Sequence, residues 1–187
     1  MATTRVIGRA ARECVLRGTC DASPEIVYDT LTDLTTHLEW AGRRQRRSFR
    51  LISLDGPSPA VAGSGFVSVG TIPMSRSRWQ NRNRVTIAER PQTVEIVTDA
   101  RATWRKRKPT DAVYRHRYEI EPLEGGCRVV YALEEVQITN PPVRMSFPPV
   151  RSLSYRVMIP FFCARGLKNL LRMSEQKSRD GASASSS

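Results

Sequence analysis

The chain has 187 residues, 40% of them hydrophobic and 7% aromatic, and its 30 basic and 18 acidic side chains leave a net charge of +12. That length allows one domain, or two very small ones, and is enough to bury a core without disulfide staples. The apolar content is too high for a disordered chain, and no run reaches the ~20 residues of a membrane span.

The nearest thing to a span, Val157 to Leu171, is broken by Pro160, Arg165 and Lys168. The opening residues have no apolar stretch behind them, so no secretory signal and a cytoplasmic location are expected. Cys14, Cys20, Cys127 and Cys163 are scattered without a CxxC or Cys/His cluster, which points to reduced thiols and no metal site. Four of the 30 basic residues are lysines, leaving 26 arginines. The arginine codons of a GC-rich genome produce such a bias; so does an anionic partner.

Residues 1–10 show no periodicity and read as a flexible arm. Glu13–Thr19 alternates as a strand. Ser23, Pro24 and Glu25 then have the order N-cap, first helical position and acidic first turn, and Ile26, Val27, Thr30, Leu31 and Leu34 recur at helical spacing. A second short helix should carry Leu34, Leu38 and Trp40 before Gly42 ends it, with His37 at its surface.

From Arg46 to Ile138 the period changes to two. Six strands are expected, at Ser48–Leu54, Gly65–Thr71, Arg78–Ala88, Thr93–Arg105, Val113–Glu121 and Arg128–Ile138. Gly- and Pro-containing turns separate them, among them Arg90-Pro91-Gln92, Lys108-Pro109-Thr110-Asp111 and Glu124-Gly125-Gly126. A two-residue Pro91-Gln92 hairpin would pair Arg84 with Asp99 and Ala88 with Glu95.

The four prolines between Asn140 and Pro149 exclude a regular helix there. A long helix over Ser152–Lys177 should follow, with Leu153, Val157, Phe161, Ala164, Leu167 and Leu171 as its buried stripe, Phe162 and Leu170 broadening it, and a kink or late start at Pro160. Residues 179–187 read as a disordered Ser-rich tail. The expected fold is therefore α+β: a seven-stranded antiparallel sheet curved around a C-terminal helix, with two short helices after the first strand. The domain would occupy residues 11–178, with a pocket between sheet and helix.

The segment from Cys20 to Trp40, CDASPEIVYDTLTDLTTHLEW, resembles the opening of the START-like (SRPBCC) superfamily. Within it, the closer likeness is to the bacterial polyketide cyclase/dehydrase and lipid-transport group. Glu124-Gly125-Gly126-Cys127-Arg128-Val129 and the closing helix with Gly166-Leu167-Lys168-Asn169-Leu170 fit the same pattern, so the likeness spans about residues 12–178. It implies the helix-grip fold and a cavity for a lipid, polyketide or other apolar small molecule. No catalytic motif transfers with it, and the arginine density between Arg76 and Arg117 departs from the usual pattern.

Alternation assigns the faces of the strands. The cavity candidates are Trp40, Trp79, Asn81, Asn83, Trp104, Tyr131, Phe161 and Leu167. Glu135 is also expected to point inward. Arg78, Arg82, Arg84, Arg101, Arg105, Arg115 and Arg117 fall on the outer face as one basic patch. His116, flanked by Tyr114 and Tyr118, is the candidate for proton transfer.

Three functions follow as expectations. The first is a binding or transport protein for a hydrophobic small molecule. The second is a cyclase or dehydrase using His116, Tyr114 and Tyr118. The third is a basic module with weak contact to an anionic membrane or nucleic acid. No cofactor and no metal is expected.

Overall fold

In a computed structural model, the structure describes residues 1–9, 12–43, 50–72, 77–104, 107–141 and 147–184. Among these residues, eight antiparallel strands form one sheet in the order β1-β2-β8-β7-β6-β5-β4-β3. They are β1 (Thr3–Arg9), β2 (Glu13–Cys20), β3 (Arg50–Asp55), β4 (Gly65–Thr71), β5 (Arg78–Glu89), β6 (Thr93–Trp104), β7 (Arg107–Leu123) and β8 (Gly126–Thr139).

The eighth strand comes from the residues expected to form a loose arm. Thr3 pairs with Thr19 and Arg5 with Arg17, so β1 covers the edge that β2 would otherwise expose. A register shift between Val6 and Gly8 hides the alternation of this strand in the sequence.

Two features move the β5–β6 register: a three-residue Arg90–Gln92 loop where two residues were expected, and a second shift between Val85 and Ile87. Arg82, not Arg84, faces Asp99, and Ala88 faces Val94, not Glu95. The expected turn at Lys108–Asp111 lies inside β7. Thr110 pairs with Ala102, and Pro109, which has no N–H to give, sits where the ladder is already irregular.

Helix α1 (Pro24–Thr32) starts as expected, with Ser23 Oγ accepting from the Ile26 N–H. Asp33 ends α1 and caps α2 (Leu34–His37), accepting from the Thr35 N–H at 3.1 Å. A π-helical turn, Leu38–Arg43, follows. His37 is buried, contrary to expectation, because its Nε2 lies 2.6 Å from the Leu31 carbonyl and its ring packs edge-on against Trp40.

The C-terminal helix starts earlier than its prolines suggest. In α3 (Pro148–Leu153), Pro148 and Pro149 occupy the first positions, where no N–H is needed. A π-helical turn, Ser154–Met158, leads into α4 (Ile159–Ala184), which continues well into the residues expected to form a disordered tail.

The phase of this helix differs from the expected stripe. Leu167, Leu170 and Leu171 are buried, but Leu153, Val157 and Phe161 are 59%, 55% and 64% exposed. The inner face at this end is Tyr155, Ile159 and Cys163 instead, together with Phe162, which was expected at the margin of the stripe. Both stripes are apolar there. Only farther along, where the outer one becomes Arg165, Lys168 and Arg172, does charge tell them apart.

The core lies between the concave sheet face and α1 and α4. It is built from Leu16, Val27, Leu31, Val85, Val94, Ile120, Val129 and the α4 leucines. This phase predicts that Leu170→Ala costs about 2–5 kcal/mol by urea denaturation, whereas Val157→Ala stays within about 0.5 kcal/mol.

Candidate functional site

The concave face is not filled along its whole length. Under the start of α4 lies a cavity of about 260 Å³. Trp79 and Asn81 of β5, Ala100 and Ala102 of β6, Thr110, Ala112, Tyr114 and His116 of β7, and Tyr131 and Leu133 of β8 form its floor and walls. Ile159, Phe162 and Cys163 of α4 roof it, and Ile72 closes one side.

Small side chains make the hollow: Ala100, Ala102 and Ala112 leave room where larger residues would fill the sheet's concavity. Trp79 is laid across neighbouring Gly70, where a Cβ would overlap both the indole ring and the Arg50 carbonyl. Its Nε1–H donates to the Thr71 carbonyl at 3.2 Å.

Of the expected cavity residues, Trp79, Asn81 and Tyr131 line the hollow. Asn83 instead completes a closed buried network. Its amide donates to Ser68 Oγ at 2.9 Å and to the Phe66 carbonyl at 3.2 Å, and its Oδ1 accepts from Thr98 at 2.8 Å. Trp104 stands at the end of β6, donating to Thr110 Oγ1 at 2.9 Å. Trp40 belongs to the π-helical turn, where its ring packs against His37 and its carbonyl accepts from Asn169 at 3.1 Å. Leu167 belongs to the solid core, and Phe161 turns outward.

Tyr114 and His116 reach the cavity wall; Tyr118 lies behind, its ring 4.6 Å from that of Tyr131. His116 Nδ1 is 2.9 Å from Tyr131 Oη, and burial lowers the imidazole pKa to about 4. Burial raises Tyr114, Tyr118 and Tyr131 above their ordinary values. Among the described residues, the wall therefore carries no charge at neutral pH. It does carry one unsatisfied group: Asn81 Oδ1 is buried and has no hydrogen-bond partner among the described residues.

Beside the cavity Glu135 points inward, as expected, and is 1% exposed. Tyr155 donates to its Oε2 at 2.6 Å, and Arg151 forms an ion pair with its Oε1. Neither Arg151 nor Tyr155 stood out in the sequence. The signal available was the cation and hydroxyl residue four apart, opposite a strand carboxylate.

On the outer sheet face the basic patch is partly neutralised. Arg115 pairs with Glu134 at 3.0 Å, Arg117 with Glu119 at 2.9 Å and Glu95 at 3.6 Å, and Arg101 with Asp111 at 3.7 Å. Arg78, Arg82 and Arg84 are exposed, and Arg105 lies outside the described residues.

No family model and no curated protein matches the chain. Solved structures of similar shape do exist. An Arthrobacter aurescens protein aligns with a TM-score of 0.65 at 14% identity, over 92% of this chain and 91% of its own. A Rhodobacter sphaeroides protein gives 0.62 at 17% identity, over 91% and 97%. One from Mycobacterium smegmatis gives 0.61 at 10% identity, over 90% and 97%. At these identities the likeness is one of fold: an antiparallel sheet with a C-terminal helix. Among the described residues, no helix is long and apolar enough to cross a membrane.

Burial lowers both His37 and His116 from 6.5 to about 4. The unfolded chain therefore takes up protons first as pH falls below about 6.5, and stability declines from there to about pH 4. Urea midpoints measured across this range should show the decline, and His116→Gln should remove about half of its slope.

Proposed function

We propose that the chain binds or carries a compact, uncharged, largely apolar molecule in the cavity beneath α4, as a START-like helix-grip protein. The observation that carries this reading is the cavity wall: among the described residues, aromatic and aliphatic groups surround a single unpartnered buried amide oxygen, with no charged side chain in the lining. Apolar walls with a few convergent polar groups are the usual composition of small-molecule sites.

The wall also restricts the ligand. A carboxylate or ammonium brought into it would lose its hydration with no counter-charge to meet it, a cost of several kcal/mol. A hydroxyl or N–H on the ligand would satisfy Asn81 Oδ1, whose unpaired burial otherwise costs about 1–3 kcal/mol. The volume, about 260 Å³, lies below the ~300–1,000 Å³ common for drug-sized ligands, which favours a ring system or single chain segment over an intact diacyl lipid.

The cyclase or dehydrase reading has Tyr114 and His116 on the wall in its favour. Against it, His116 titrates near 4 and the tyrosines above their ordinary range, far from the near-neutral values that favour acid–base catalysis.

Native mass spectrometry of the purified protein should find a neutral, mainly apolar molecule at near-stoichiometric level. Ala102→Phe, which fills the hollow, should abolish binding. Asn81→Leu should weaken a hydroxylated ligand about tenfold, and His116→Gln should leave binding intact. An Ala102→Phe protein that still holds the ligand would remove the cavity from consideration.

A further inference from the structure

We infer that the exposed ridge of the C-terminal helix docks on an anionic phospholipid surface. The ridge runs Val150, Leu153, Val157, Phe161, Arg165, Lys168 and Arg172, at steps of three or four residues and over roughly 33 Å at 1.5 Å per residue. Its first half is apolar and uncovered, and its second half is cationic. Leu153, Val157 and Phe161 are more than half exposed, and Met158 beside them is 49% exposed.

A shallow groove of about 590 Å³ runs along this ridge, between α4 and β1. Val6, Val157, Pro160 and Phe161 give it an apolar floor, with Arg156 and Arg165 at its margins.

Charge identifies the occupant. From Val136 to Ser174 the sequence has six basic residues and no acidic one. Arg151 is committed to Glu135, whereas Arg156, Arg165, Lys168 and Arg172 have no ion-pair partner among the described residues. Large apolar side chains beside unpaired cations match a bilayer interface, where the apolar groups pass the headgroups and the cations stay at the phosphates.

A second copy of the chain fits less well. A two-fold contact would place this face against itself, and the stretch from Val136 to Ser174 supplies no carboxylate to meet its cations. The outer sheet face also fits less well, because Arg101, Arg115 and Arg117 are already paired with carboxylates. The ridge carries the inference by itself. The cavity reading adds only a consequence: Ile159, Phe162 and Cys163, which roof the hollow, lie on the other side of the turns that would meet the membrane.

The test is flotation with vesicles of equal parts phosphatidylglycerol and phosphatidylcholine, and with phosphatidylcholine alone. The protein should bind the anionic vesicles, less so as salt rises. Phe161→Ser should weaken binding about tenfold or more, and Arg165→Gln and Lys168→Gln about fivefold each. The outer-face pair Arg82→Gln/Arg84→Gln should leave it unchanged. All these sites are on the surface, so circular dichroism should match the parent.

Equal binding to both vesicle types, or an equal loss in the outer-face variant, overturns the inference. So does a protein that ignores vesicles and passes from dimer to monomer on Phe161→Ser, which would give the ridge to a second copy. Uptake of a neutral apolar fluorophore without vesicles is measured in parallel. Failure there with vesicle docking intact counts against the cavity reading alone.

Discussion

The architecture over the cavity depends on one buried charge. Glu135 points from β8 into the interior, where an unpaired carboxylate is prohibitively costly. It is tolerable there because Arg151 and Tyr155 meet its two oxygens. Both partners lie on the stretch that opens the C-terminal helix, so the carboxylate fixes where that stretch meets the sheet. The other end of the helix is fixed by Leu167, Leu170 and Leu171 in the core. Between these two anchors α4 bridges a concave sheet whose middle is lined by alanines. The hollow under Ile159 and Phe162 is what remains.

Pro160 acts on the same stretch. In a regular α-helix its ring would collide with the Arg156 carbonyl and would remove one hydrogen bond. The helix instead widens just before it, and the Ile159 N–H reaches back five residues to the Ser154 carbonyl. The extra residue in that turn sets the helical phase on either side of it. It allows Tyr155 to face Glu135 while Ile159, Phe162 and Cys163 face the cavity. Such widened turns often accompany functional sites, and this one joins the ion-pair anchor to the cavity roof.

Much of this was legible in the sequence. Period-two alternation from β4 to β8 and the Ser23-Pro24-Glu25 helix start are local signals, and they located those elements to within a few residues, except that β7 begins at Arg107, inside the stretch read as a turn. The inward direction of Glu135 followed from alternation alone. What stayed hidden depends on partners distant in the chain. β1 has Val6 and Ile7 side by side and a bulge, so only its pairing with β2 makes it a strand. His37 reads as a surface residue until the Leu31 carbonyl is placed beside it. At the start of α4 both candidate stripes are apolar, so periodicity selects neither. Cavity membership failed for a related reason: alternation says that Asn81 and Asn83 both point inward, but not that Ser68 and Thr98 wait for one and nothing for the other.

That difference between two asparagines on one strand also bears on chemistry. A polar group buried at a cost and already satisfied serves the fold; one left unsatisfied in a hollow has capacity to spare. Around Asn81 the neighbours stay uncharged near neutral pH, since burial disfavours both imidazolium and phenolate. A wall of that kind offers hydrogen bonds without offering charge. It can discriminate between neutral molecules by the position of one donor, which suits recognition better than proton transfer. Any route to proton transfer would first have to raise the His116 pKa, by hydrating the imidazole or by placing a negative charge beside it. The carboxylate best placed to supply one, Glu135, is already bound to Arg151 and Tyr155.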